Sequence, residues 1–158
     1  AVAEKIAKSN GNVSILVNNA GITRRNAFTS SVDIAGKDWD DILAINLDGV
    51  FNVSHAFVEQ LRATRGRIVN IASVQAFAHV RTPSSAAYTA SKHAVLGFTR
   101  ALAAELGKDG VRVNAISPGP IADTEGKTYT LTTAQFTSLM LAYGAHYKSL
   151  WDTLKAGN

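Results

Sequence analysis

The chain has 158 residues, enough for one domain with a buried core. At 46% hydrophobic and 18% charged it is too apolar for a disordered chain, and the absence of cysteine excludes disulfides and thiolate metal sites while remaining compatible with a reducing compartment. The net charge of +4 comes from 16 basic and 12 acidic residues, mostly scattered, with small groups only at Arg24-Arg25 and Arg62/Arg65/Arg67; no nucleic-acid partner is expected, because that would need a larger basic stripe interleaved with aromatics.

Residues 1–8 carry charges within their apolar face and no uninterrupted apolar run, so neither a signal peptide nor a membrane span is expected and the cytoplasm is the default compartment. Val2, Ile6 and several alanines recur at helical spacing over residues 2–9, and Asn10-Gly11 supplies a helix stop. Residues 13–17 form a short β-branched apolar run ending in Asn18-Asn19-Ala20-Gly21, which predicts a buried strand feeding a tight turn. Residues 22–37 show no period and are expected to be a loop. Asp38 is the expected N-cap of a helix running to about Thr64, with acidic residues in its first turn where the helix dipole favours them. Its buried face is predicted as Leu43, Leu47, Val50, Ser54, Phe57, Val58 and Leu61, and Gly49 within it suggests close packing by a neighbour. The arginines at 62, 65 and 67 then fit a solvated helix end.

A second strand is predicted over residues 66–73, ending in the hydroxyl of Ser73, followed by a loop over 74–85 that carries His79 and Pro83. Ser84 or Ser85 can cap the next helix, which passes through Tyr88 and Lys92 and stops at Gly107-Lys108-Asp109-Gly110. One of its faces is lined with small residues, Ala87, Ala90, Ser91, Ala94, Ala101 and Ala104, allowing close approach to the sheet or to another subunit. Residues 111–117 form a third strand, closed by Pro118-Gly119-Pro120, and a final amphipathic helix is expected from Phe136 to Leu154. Strands alternating with helices give an α/β fold with a parallel sheet and crossover helices.

Tyr88 and Lys92 are four residues apart, which places phenol and ammonium one turn apart on one helix face. A free tyrosine ionises near pH ~10, and an adjacent cation lowers that value, so the pair can trade protons near neutrality. Alone, such a pair also fits a solvated surface contact. In open parallel sheets ligands bind outside the carboxyl ends of the strands, and residues 18–21, Ser73 and Pro118-Gly119 all follow such ends, with Tyr88 near the start of the helix after Ser73.

These segments resemble the short-chain dehydrogenase/reductase family of the compact type. The resemblance rests on Asn18-Asn19-Ala20-Gly21, Asn46 within Ile45-Asn46-Leu47, Ile68-Val69-Asn70-Ile71-Ala72-Ser73, Tyr88-Thr89-Ala90-Ser91-Lys92 and Val113-Asn114-Ala115-Ile116-Ser117-Pro118-Gly119, in that order, and it covers residues 1–122. It implies a partial doubly wound, Rossmann-like sheet and an NAD- or NADP-dependent oxidoreductase that interconverts a ketone and a secondary alcohol by hydride transfer. In it Tyr88 would be the general acid or base, Ser73 would hold the reacting oxygen, and Lys92 would lower the Tyr88 pKa while bonding the nicotinamide ribose. Asn46 would help hold a water relay. Asn18, Ala20 and Gly21 would pass the adenosine half of the cofactor, and Pro118, Gly119 and Ile121 its nicotinamide end. The implied partners are a small-molecule carbonyl or alcohol substrate and a second copy of the chain, packed through helices 38–64 and 86–106. No metal is required, and His55, His79, His93 and His146 show no ligand spacing. Taken singly, Asn46 also fits a satisfied buried amide, Ser73 a strand-end hydroxyl and Asn18 a turn former.

No glycine-rich phosphate turn precedes Asn18, so the chain is expected to be a single domain, the C-terminal catalytic half of the family fold, truncated at both ends. Residues 1–122 would be the core and 123–158 the substrate lid. The alternative is a catalytically incomplete fragment serving as a folding or oligomerisation module. In either case a three-stranded sheet is expected to leave one edge and one face uncovered.

Overall fold

A computed structural model of the protein describes residues 2–24, 26–78 and 86–119. Helix α1 (Val2–Asn10) leads into strand β1 (Ile15–Asn18); helix α2 (Val32–Leu43) continues through one π turn (Ala44–Asp48) into α3 (Gly49–Thr64). Strand β2 (Arg67–Ile71), a 3-10 turn (Val74–Ala76), helix α4 (Ala86–Leu106) with a terminal 3-10 turn (Gly107–Asp109), and strand β3 (Arg112–Ile116) complete it. The three strands lie in the order β1-β2-β3, all parallel, with Leu16 beside Ile68 and Ile68 beside Val113. The α/β alternation read from the sequence is therefore the fold, and the carboxyl ends of all three strands share one edge.

Helices α3 and α4 cover one face of the sheet. Leu61 of α3 and Leu106 of α4 pack with Ile68, Val111 and Val113, and a second cluster joins Val50 and Val95 to Ala72 and Ala76. Alternation along β2 and β3 explains this: Ile68, Asn70 and Val113 point into the helices, while Arg67, Arg112 and Asn114 point away. The opposite face is open among the described residues, with Ile15 58% exposed, Val17 54% and Ile116 53%. β1 is thus not the buried strand its apolar run suggested. Among the described residues it is an edge strand with one open face, in line with the uncovered-sheet expectation.

Three further readings are corrected. The segment expected to be loop up to Lys37 is helical from Val32, and Asp38 lies inside α2, where its carboxylate accepts from Asn26 Nδ2 at 3.2 and 3.1 Å. The residue at the N-cap is Ser31, whose side chain makes no capping bond. Periodicity missed these turns because they bury almost nothing: Val32 is 87% exposed and Ile34 46%. Gly49 is not pressed by a neighbouring element, since a Cβ there would meet only Ala44 O at 3.7 Å. It sits where the π turn ends, and its N–H donates to Ala44 O. That turn also shifts the buried stripe, so that Ile42, Asn46, Val50, Ser54 and Leu61 are buried while Leu43, Leu47, Phe57 and Val58 are half-buried. On the small-residue face of α4, Ser91 is buried, Ala87, Ala90 and Ala94 are half-buried, and Ala101 and Ala104 are exposed.

α3 closes with Arg65 in the left-handed region (φ 48°, ψ 48°), and Gly66 N–H returns to Leu61 O at 2.8 Å. Gly66 is required by close approach, because a Cβ would fall 2.7 Å from Ser14 O and 2.8 Å from Leu61 Cδ2. Arg62 is ion-paired rather than simply solvated, at 2.8 Å to Asp109 and 3.1 Å to Glu59. The expected cap at Ser84 or Ser85, His79 and the helix from Phe136 to Leu154 lie outside the described residues.

Candidate active site

At the shared carboxyl edge, backbone bonds tie the turns after β2 and β3 together: Ala72 N–H donates to Ile116 O at 2.8 Å and Val74 N–H to Pro118 O at 3.0 Å. A Cβ on Gly119 would touch Val74 Cγ1 at 3.6 Å. Ser73, between those two ties, has extended backbone (φ −167°, ψ 160°) and starts the 3-10 turn, with its Oγ accepting the Gln75 N–H at 3.1 Å. Ser73, Pro118 and Gly119 therefore form one cluster. Ile121 lies outside the described residues.

The second cluster forms around the π turn. Asn46 is fully buried, and its amide reads both peptide groups of Ile22: Oδ1 accepts from Ile22 N at 2.8 Å and Nδ2 donates to Ile22 O at 2.9 Å. Nδ2 also donates to Ser91 Oγ at 3.1 Å, and that hydroxyl donates to Tyr88 O at 2.7 Å. One carboxamide thus joins the turn after β1, the α2–α3 helix and the Tyr88 turn of α4. Gly21 lies against this joint, since a Cβ on it would sit 3.3 Å from Asn46 Oδ1 and 3.4 Å from Lys92 Nζ.

Lys92 is 5% exposed. Its Nζ donates to Ile71 O at 2.7 Å and lies 5.6 Å from the centroid of the Tyr88 ring, within range of a cation–π contact. Among the described residues no carboxylate pairs with it. Burial alone pushes its pKa below the ordinary lysine value, because an ammonium loses hydration without gaining an opposing charge. Ile71 ends β2, two residues before Ser73, so Lys92 connects the two clusters.

Asn18 takes another direction. Its Nδ2 donates to Ser54 Oγ at 3.0 Å and Asn70 Oδ1 at 2.8 Å, while Asn70 Nδ2 donates to Thr99 Oγ1 at 2.9 Å. The Asn18 side chain is therefore committed beneath the sheet, and only its backbone and the exposed Ala20 and Gly21 face the edge. Ser54, Asn70, Thr99, Ser91 and Gln75 are buried polar residues to which sequence reading gave no hydrogen-bonding role at the site. The trace they leave is polar residues at core positions: Ser54 within an apolar stripe, and Asn70 on the inward side of a strand. Among the described residues no three His, Asp or Glu side chains group as metal ligands, and no helix is long and apolar enough to cross a membrane.

A parallel sheet with crossover helices, and a Tyr-Lys pair beside the strand ends, define a Rossmann-like α/β protein. The sequence model described as short chain dehydrogenase matches residues 1–134, and the chain belongs to that family. It is 44% identical over 125 residues to 2-dehydro-3-deoxy-D-gluconate 5-dehydrogenase of Dickeya dadantii, covering 77% of this chain and 47% of that protein. It is 37% identical over 145 residues to a 3-oxoacyl-[acyl-carrier-protein] reductase of Staphylococcus aureus, covering 90% of this chain and 57% of that one. A crystal structure of a gluconate 5-dehydrogenase from Burkholderia cenocepacia, in complex with NADP and tartrate, superimposes with a TM-score of 0.72 at 34% identity, covering 84% of this chain and 51% of that one. The chain spans about half the length of the curated relatives it matches.

Proposed function

We propose that residues 1–158 carry the catalytic half of an NAD- or NADP-dependent oxidoreductase that interconverts a small-molecule ketone and a secondary alcohol, with Tyr88, Lys92, Ser73 and Asn46 as its site. The observation that carries this is Lys92: a buried ammonium with no carboxylate partner among the described residues, one turn from Tyr88 and against Gly21. An ammonium has three N–H donors, and Ile71 O takes one of them, so the residues fit a ligand that offers hydroxyl acceptors there. The ribose of a nicotinamide cofactor has that chemistry, and the structural relative with bound NADP supports it. Gly21, with Ala20 and the Asn18 backbone, would border the adenosine half, and Pro118, Gly119 and Ile121 the nicotinamide end.

Bound NAD(P)H supplies the hydride. On this chain, Tyr88 donates its phenolic proton to the carbonyl oxygen as that oxygen gains charge, and recovers it in the reverse direction. Ser73 donates a hydrogen bond to the same oxygen; its Oγ already accepts from Gln75 N–H, which leaves its O–H for the substrate. Lys92 favours the ionised phenol through its charge. Asn46 holds the joint that places Lys92 beside Gly21 and would help hold a water that links Lys92 to solvent as a proton relay. The substrate lid expected at residues 123–158 lies outside the described residues. Phe51, 51% exposed, and Val53, 40% exposed, on α3 support a homo-oligomer packed through the long helices.

The test is Tyr88→Phe. Carbonyl reduction is expected to fall by about 10²–10⁴-fold with the circular dichroism spectrum unchanged, and turnover equal to wild type would remove Tyr88 from the mechanism. A second reading, a folding or oligomerisation module without turnover, is favoured by the sheet face left open among the described residues at Ile15, Val17 and Ile116. Reduction by the wild-type chain separates the two.

A further inference from the structure

The two hydroxyls that would act on the substrate oxygen come from different elements, Ser73 from the turn after β2 and Tyr88 from α4. Their separation is therefore a property of whatever ties those elements. On the β3 side the Ser73 turn is held by backbone bonds from Ala72 and Val74. On the α4 side the structure shows a side-chain tie: Thr89 Oγ1 donates to Gln75 Oε1 at 2.8 Å. Gln75 is 8% exposed, and its own N–H donates to Ser73 Oγ at 3.1 Å. The same residue thus grips the Ser73 hydroxyl with its backbone and the residue after Tyr88 with its side chain. Its neighbour Ala76 is anchored in the apolar cluster of Val50, Ala72 and Val95, which leaves the turn little freedom to adjust without that tie.

We propose that Gln75 is a positioning residue, which sets the distance between the Ser73 and Tyr88 hydroxyls through its hydrogen bond to Thr89. This rests on the oxidoreductase reading for its catalytic consequence, and on the hydrogen bonds alone for its structural one. A substrate oxygen must lie within about 3 Å of both hydroxyls, and a displacement near 1 Å in such a site costs about 10²-fold in rate.

The experiment compares Thr89→Val, which keeps the shape and loses the hydroxyl, Thr89→Ser, which keeps the hydroxyl and loses the methyl, Gln75→Leu, and the Thr89→Val/Gln75→Leu double variant. The first readout is the ¹⁵N–¹H resonance of the residue-75 amide, which reports its bond to Ser73 Oγ without requiring turnover. Thr89→Val is expected to shift it and Thr89→Ser to restore it; an amide unmoved by Thr89→Val, or not restored by Thr89→Ser, overturns the proposal. The second readout is ketone reduction. Thr89→Val and Gln75→Leu are each expected to lower kcat about 10–100-fold with the KM for cofactor unchanged, the double variant to be no slower than the worse single, and Thr89→Ser to recover kcat. Additive losses in the double variant, or a loss confined to KM, overturn it. Absence of reduction by the wild type counts against the oxidoreductase reading, and the amide shift still decides the tie.

Discussion

Replacing Asn46 by alanine removes three hydrogen bonds at once: those to Ile22 N, Ile22 O and Ser91 Oγ. Each is worth about 0.5–1.5 kcal/mol net, and Asn46 is fully buried, so water cannot replace its amide from that side. Ile22 is half-buried and regains some hydration, which trims the loss. The expected cost is about 2–4 kcal/mol, read as a lower urea midpoint at constant m. Asn46→Asp sharpens the test. The carboxylate still accepts from Ile22 N–H but turns an oxygen toward Ile22 O, where an amide donated. Burial and that opposing carbonyl raise the aspartate pKa above its unfolded value near ~3.9. The native state then binds more protons than the unfolded state between the two values, so the variant loses stability relative to wild type as pH rises through that window and recovers it in acid. A loss below about 1 kcal/mol for Asn46→Ala, or a pH-independent difference for Asn46→Asp, would refute the role of Asn46 as the joint.

Two further outcomes follow from packing and burial. Gly66→Ala places a Cβ 2.7 Å from Ser14 O and 2.8 Å from Leu61 Cδ2, and is expected to cost about 1–3 kcal/mol in urea unfolding, whereas a neutral result would mean that the β1–β2 entry is loosely packed. For Lys92 the folded pKa lies below the unfolded value near ~10.4 because of burial, so the unfolded state binds the extra proton between the two. The cost of burying the charge is full below the folded pKa and fades as pH rises through that window. Wild type should therefore gain stability relative to Lys92→Met on going from neutral to alkaline pH; a difference that is flat or moves the other way would show that Lys92 is not desolvated.

The buried polar groups divide the molecule's work. The ladder Ser54–Asn18–Asn70–Thr99 locks the sheet to α3 and α4 from beneath. The joint at Asn46 and the tie at Gln75 lock the edge where the chemistry would occur. Each residue in both sets has at least one buried or part-buried hydrogen-bond partner, and such pairing is what lets a buried polar network hold one geometry rather than weaken a core. Lys92 stands apart, a buried cation whose one hydrogen bond among the described residues is to Ile71 O.

Hydrophobic period and turn residues alone determined the element order, the parallel sheet and the shared carboxyl edge that Gly21, Ser73 and Pro118 follow, because strand and helix periodicities are local and parallel strands need crossovers. The same local signals failed at Val32, in the first turns of a helix that bury almost nothing, and at Ile15 and Val17, where an apolar strand has one face open among the described residues. Only the tertiary structure decided that the Asn18 side chain turns beneath the sheet, that a π turn carries Asn46 into contact with Ile22, 24 positions earlier in the chain, and that Gln75 reaches Thr89, 14 positions later. Those contacts join residues distant in sequence, and no spacing rule along a single element specifies which buried amide will find which partner across the fold.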